Sequence, residues 1–468
     1  MIEPVPAARR VRPAQAVLAL FFANLLLRGD GHFPFSKGVN PALFDTVVLV
    51  QTAVLLACSA FLIARILGWA GEVDEAAAGD RWLLGGALAS VALVVLLHAL
   101  SARRFAEFGY VGRPALLGAL AITAAVALAA LWRSSRAAAV LAAAFVLKVY
   151  PLLCFPIRSA RSDMLPILQE AGRALLSGEN IYRAYLLDNG IWTPMVRFPG
   201  LVMAYAPATL LDVDPRLVTL VAEALFFLVV WRRFRTNPLL PSGLILLALS
   251  PYWHFRHELY EAPFWVALTA LLLVLERRSP PAEVAALALV VCMHQWGVLF
   301  LAFVALFLAR SRSRAYALAL AGVALGVGTL VVVVASQGDV GAFWQQTMTS
   351  YAGTLASWAR HGLFPDTSLY LTPWIAALGG ATAVKLGSLV GVAVVLGWAW
   401  RRLQRLRELV AFLAAALLAV LLTNTVAWTY QYLLVGALLW LGLMLRAEQP
   451  AEPAEPWTPE VVRTLSGK

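Results

Sequence analysis

Apolar stretches recur from one end of this chain to the other, many of them long enough to cross a bilayer and several shorter than a straight span needs. They occupy 14–27, 42–68, 82–100, 114–132, 137–157, 198–211, 216–231, 239–252, 262–275, 283–309, 315–335, 372–400, 409–427 and 430–445. A hydrocarbon core about 30 Å thick takes about 20 helical residues, and only helices or closed barrels satisfy their backbone within it. The runs are continuous rather than alternating, so they predict helices. The expected fold class is all-α, a polytopic transmembrane bundle of about 11–14 helices or half-helices. Composition agrees: 61% of the 468 residues are hydrophobic and 13% charged, against about 25% charged in an ordinary soluble domain.

The formal charge of +11 does not point to nucleic acid. The basic residues lie in short clusters between apolar runs: Arg133/Arg136, Arg232/Arg233/Arg235, Arg277/Arg278, Arg310/Arg312/Arg314 and Arg401/Arg402/Arg405/Arg407. Such loops stay cytoplasmic. Placing all five inside makes 158–197, 253–261 and 336–371 external. It also requires 198–211 to enter and return or to lie at the interface, and 283–309 to fold as a hairpin with its polar His294-Gln295 centre outward. The N-terminus, with a basic start and a short apolar stretch, reads as a retained anchor because no small-residue cleavage site follows it. Three parts are expected: N-terminal transmembrane helices over 1–133, a core over 134–446, and a disordered cytoplasmic tail over 447–468 that is rich in Pro and Glu. Cys58, Cys154 and Cys292 stand singly inside apolar runs, without paired or metal-ligand spacing.

The chemistry is expected in the external loops. In 163–178, Met164, Leu165, Leu168, Ala171 and Leu175 share one helical face opposite Gln169, Glu170, Arg173 and Ser177. This predicts an interfacial amphipathic helix that ends at Gly178. Asp163 stands just before its first turn, where a carboxylate can cap the helix, face a substrate, or do both. Asn180, Tyr182 and Arg197 follow, and Pro199 and Pro207 bracket a short apolar piece. Irregular backbone at membrane depth needs a wet or protein-lined place, although single aromatics there also suit an interfacial belt.

A second cluster holds His254, Arg256, His257, Glu258 and Glu261 within one short turn. On a helix, His257 and Glu261 would share a face and could orient a ring nitrogen or hold a divalent cation. A solvated connector with locally paired charges explains the same residues. His294 and Gln295 lie inside an apolar run, where polar side chains are expensive and become functional candidates. A third cluster, in 336–371, includes Arg360 and His361 among several aromatics. Aromatic and amide groups suit a sugar face, and Arg suits phosphate.

Taken in order, Asp163, the helix after it, the turn Gly178-Glu179-Asn180-Ile181-Tyr182, Phe198-Pro199, Ala206-Pro207, Ser250-Pro251, the hairpin at His294 and the stretch from Asn424 to Tyr432 resemble the GT-C superfamily of membrane glycosyltransferases. The resemblance is particularly to glycosyltransferase family 87 and related polyprenyl-phosphate-mannose-dependent mannosyltransferases, which have a G-x-N-P-Y-like turn. The resemblance covers about 137–445. Ile181 stands where the family favours Pro, and HFRHELYE occupies a turn where many relatives carry Gly-Gln or a second Asp.

The resemblance implies a multi-pass enzyme of a bacterial inner membrane. It would transfer mannose or another hexose or pentose, with inversion, from a polyprenyl-phosphate sugar to a lipid or glycan acceptor at the external face. Asp163 would be general base, and Arg197, Arg256 or Arg360 would stabilise the leaving polyprenyl phosphate. Asn180, Tyr182, His257, Glu258, Glu261, His294, Gln295 and His361 would bind substrate. Two other readings use the same residues: a lipid or lipid-linked oligosaccharide transporter, and an inactive relative serving as a membrane scaffold. No internal repeat, which transporters often carry, is visible in the sequence.

Overall fold

A computed structural model describes residues 41–68, 157, 163–188, 190, 192–237, 239–240, 260–349, 371–424 and 431–448. The expected N-terminal anchor, the runs 82–100, 114–132 and 137–157, and the tail beyond 448 lie outside the described residues. Described residues form helices joined by short connections, with one two-stranded antiparallel ribbon, Ala184–Leu186 (β1) against Trp192–Pro194 (β2).

The helices are α1 (Pro41–Ile66), α2 (Met164–Leu176), α3 (Pro199–Leu210), α4 (Arg216–Phe234), α5 (Ala262–Arg277), α6 (Pro280–Met293), α7 (Gln295–Ser311), α8 (Arg314–Ala335), α9 (Val340–Trp344), α10 (Leu371–Arg402), α11 (Leu406–Thr423) and α12 (Tyr432–Ala447). A π turn over Gln345–Thr349 continues α9. Among the described residues, three helices are long and apolar enough to cross a membrane: α8, Thr382–Arg402 of α10, and α11. Two of them bury little of themselves in the protein, leaving Leu318 of α8 73% exposed and Leu389 of α10 67% exposed. Apolar strips of this extent are costly in water and suit contact with lipid. α10 is not one straight rod. Gly379 and Gly380 break it, and Gly380 takes φ 61° with ψ −151°, a conformation that only glycine adopts readily.

The run 283–309 does fold as a hairpin. His294, in extended backbone, separates α6 from α7. At the far ends, Arg312 Nη1 donates to the fully buried Glu283 (2.6 Å), and Tyr316 Oη donates to the same carboxylate (2.7 Å). Residues 29 positions apart can pair this way only if the chain doubles back. The bend is tight: a Cβ on Gly297 would lie 2.0 Å from the Val290 carbonyl oxygen.

The arginine clusters gather at one end of the bundle. Arg233, closing α4, pairs with Glu276 of α5 and Glu448 beyond α12 (2.8 Å). Arg446 of α12 donates to the backbone oxygen of Arg65 in α1, and Arg310 of α7 donates to that of Trp400 in α10. Asn237 donates to Met444 (2.9 Å) and Trp440 to Leu239 (3.2 Å), which docks the segment after α4 on α12. Four of the five expected clusters therefore share a side, and Arg133/Arg136 lies outside the described residues. From that end, α5 runs 16 residues, or about 24 Å, to Glu261 at the other.

α4 and α5 meet at their C-termini through Arg233 and Glu276 and run alongside each other, so the start of α4 lies beside the start of α5. The 12-residue α3, about 18 Å long, therefore begins and ends on the Glu261 side and does not cross the bundle. α2 lies against it. A Cβ on Gly172 would come within 2.7 Å of Thr209 Oγ1. Met164, Leu165, Leu168 and Ala171 are buried while Arg173 and Ser177 are exposed, as the periodicity predicts. The apolar face of α2 thus packs on protein, not only on an interface. Glu179 N–H donates to Ala174 O and Gly178 N–H to Leu175 O, with Gly178 at φ 70°, which closes the helix in a Schellman turn.

Candidate functional site

Five of the expected site residues converge at the end opposite the arginines, and each sits where a helix begins or breaks. Asp163 precedes α2, Arg197 precedes α3, Glu261 precedes α5, and His294-Gln295 forms the tip of the α6–α7 hairpin. Helix starts leave backbone N–H groups unpaired and their flanking side chains outside the helical ladder. Such positions can hold polar groups at depth without disrupting a core.

Arg197 is buried on Tyr260: a guanidinium nitrogen donates to the phenol oxygen, and the guanidinium carbon stands 5.0 Å from the ring centroid. Hydrogen bond and cation–π contact fix the plane of the charge. Tyr182 Oη donates to the Arg197 carbonyl oxygen (3.3 Å) and the Gln295 amide to that of Val196 (2.9 Å), so the backbone that carries Arg197 is held on both sides. Asn180 accepts the Tyr182 backbone N–H (2.7 Å), a local Asx turn rather than a free substrate contact. Tyr182 and Phe198 pack edge-on against Phe343 at 5.0 and 5.4 Å, and the Ile181 N–H donates to Ala335 O (3.1 Å). The loop before α3 is thereby clamped to the ends of α8 and α9. Burial raises the Tyr182 phenol well above its ordinary range, so it remains a donor at neutral pH.

Asp163 occupies the cap position of α2 but makes no side-chain cap bond. Capping alone therefore does not account for this carboxylate. Burial raises its pKa, opposed by the positive charge of Arg197 and a bond from its own backbone N–H. Arg197 is within electrostatic reach of both Asp163 and His294, which ties the two halves of the site together.

Glu261 is 1% exposed and does not cap α5. The reading of 253–261 as a solvated connector fails at this residue, because the chain turns its side chain into the bundle and not toward water. Its contact among the described residues is His294, whose Nε2 lies 3.4 Å from Glu261 Oε1, beyond a good hydrogen bond; His257, placed on the same face by spacing, lies outside the described residues. The 2% exposed His294 ring accepts the Trp296 N–H on Nδ1 (3.2 Å), which leaves the proton of the neutral ring on Nε2, facing Glu261. Trp296 and Phe264 pack on the ring at 4.2 and 5.2 Å between centroids. Neither Glu261 oxygen, nor His294 Nε2, nor Gln295 Oε1 has a hydrogen-bond partner among the described residues.

Arg256, His257, Glu258, Arg360 and His361 lie outside the described residues. Among the described residues no three His, Cys, Asp or Glu side chains gather in a way that could hold a metal ion. Sequence reasoning missed Tyr260, whose signal was an aromatic directly ahead of a buried acid, and Phe343, which nothing in its local sequence marks out. No known protein family, curated protein or solved structure matches the chain. The functional reading therefore rests on the chain's own residues.

Proposed function

We propose that this protein is a membrane glycosyltransferase that transfers a sugar from a polyprenyl-phosphate donor to a lipid or glycan acceptor at the end of the bundle carrying Asp163. The observation that supports this most is the convergence of an uncapped, half-buried carboxylate with a clamped guanidinium and a set of unsatisfied polar groups, on the side away from the arginine clusters. With those arginines inside, the site faces the exterior of a bacterial inner membrane.

Asp163 accepts the proton of the acceptor hydroxyl as that oxygen bonds to the anomeric carbon. The bond from this carbon to the phosphate oxygen breaks on the opposite face, and its electron pair leaves with the polyprenyl phosphate, so the anomeric configuration inverts. Arg197 faces the charge that develops on the phosphate and is preorganised by Tyr260 to do so. A carboxylate whose pKa is raised by burial is a better base than a solvated one. The proton then passes from Asp163 to water and resets the site.

The direct experiment is reconstitution in proteoliposomes with a radiolabelled polyprenyl-phosphate hexose and mass spectrometry of the lipids. The enzyme consumes the donor and releases polyprenyl phosphate. A lipid transporter would move the donor across the bilayer intact, and that outcome would overturn the proposal.

A further inference from the structure

We infer that Glu261, His294 and the side-chain carbonyl of Gln295 form a subsite that recognises a pyranose ring through its hydroxyls, an inference that rests on the glycosyltransferase reading and deepens it. A buried carboxylate without hydrogen bonds is strongly disfavoured, and buried polar groups are nearly always partnered. Glu261 has two oxygens in this condition, one of them 3.4 Å from a His294 Nε2 that is likewise unmatched among the described residues, and Gln295, next in the chain after His294, carries a third such oxygen. Three acceptors next to one donor are complementary to hydroxyl groups, which both donate and accept. A bound cation would use the acceptors but would face the His294 N–H and the nearby Arg197 charge, and fewer than three ligating side chains gather there among the described residues.

Surrounding packing makes the groups stiff enough to select. His294 is wedged between Phe264 and Trp296, and Gln295 is tethered through its amide nitrogen to Val196 O, which aims its carbonyl oxygen away from that bond. Arg197 follows Val196 directly, so the hydroxyl-reading groups adjoin the group assigned to the leaving phosphate.

The test uses the full-length protein in nanodiscs and measures binding of bare polyprenyl phosphate, mannosyl and glucosyl polyprenyl phosphates with their single-deoxy analogues, and dodecyl hexosides as the acceptor arm. In the wild type, at least one sugar-bearing lipid binds more tightly than its bare counterpart, and loss of one hydroxyl costs about 10- to 100-fold, the range of a hydrogen bond to a charged group. Glu261→Gln erases the dependence on that hydroxyl while binding of bare polyprenyl phosphate is kept. The arm that loses its dependence tells donor sugar from acceptor sugar.

If wild-type protein binds every deoxy analogue as well as its parent, the subsite is overturned without recourse to any variant. It is overturned equally if Glu261→Gln keeps the full discrimination, or loses bare and sugar-bearing lipids alike. Failure of wild-type protein to bind any polyprenyl phosphate overturns the glycosyltransferase reading itself, and the subsite with it.

Discussion

Asp163 stands where a helix cap is expected, yet its side chain makes no cap bond, and burial holds its carboxyl above the ordinary carboxylate range against the pull of Arg197. A base must be ionised to work. With Asp163 as the base proposed above, transfer activity is expected to rise as pH increases through this raised pKa and to be lost below it. Replacing Arg197 with Gln removes the charge that lowers the pKa, so the acidic limb of the profile moves to higher pH; an unmoved limb would show that Arg197 does not act on Asp163. Tyr260→Phe keeps the ring under the guanidinium and loses the hydrogen bond. Its expected effect is a fall in kcat of about tenfold, the scale of one such bond, with insertion and folding unchanged. Arg197 was legible in the sequence as a candidate, but Tyr260 was not, because the 63 positions between them hide a contact that only the fold creates.

At the scale of elements, the hairpin of α6 and α7 sets the site's depth. Gly297 allows the bend, since a Cβ there would collide with the Val290 backbone. Gly297→Ala is expected to lower stability by at least about 3 kcal/mol, read as a loss of Tm in detergent, because neither backbone can yield freely. Glu283→Gln at the other end removes the charge and one of the two oxygens that accept from Arg312 and Tyr316, and should cost about 3 kcal/mol. A double-mutant cycle with Arg312→Met checks that the two side chains act together.

Much of this was legible. An apolar run too long for one helix, with two polar residues in its middle, forecast the turn at His294. The amphipathic period and Gly178 set both the buried face and the end of α2. The break at Gly379-Gly380 in α10 was not seen, because two glycines in an apolar run are compatible with a continuous helix until φ and ψ are known. The contact between Glu261 and His294 was not legible either, because packing brings together two elements distant in sequence.

For the whole molecule, the arginine clusters set the polarity. Four of them meet at one end and the polar site at the other, an arrangement that charge along the chain implied before any contact was known. Short basic loops are retained on the cytoplasmic side, so the two ends should answer differently to a membrane-impermeant thiol reagent. With Cys58, Cys154 and Cys292 replaced by Ser, Asp188→Cys in the loop between β1 and β2 is expected to react in intact cells. Arg277→Cys should react only after permeabilisation, and the reverse pattern would place the site inside.

The role of Asp163 as base carries the account, and one measurement reaches it directly: the rate at which purified, correctly inserted Asp163→Asn protein releases polyprenyl phosphate from a polyprenyl-phosphate hexose in the presence of acceptor. Asn keeps the shape and cannot take the proton, so the rate should fall by about 100- to 10,000-fold, the usual contribution of a general base. Transfer at the wild-type rate would contradict the account.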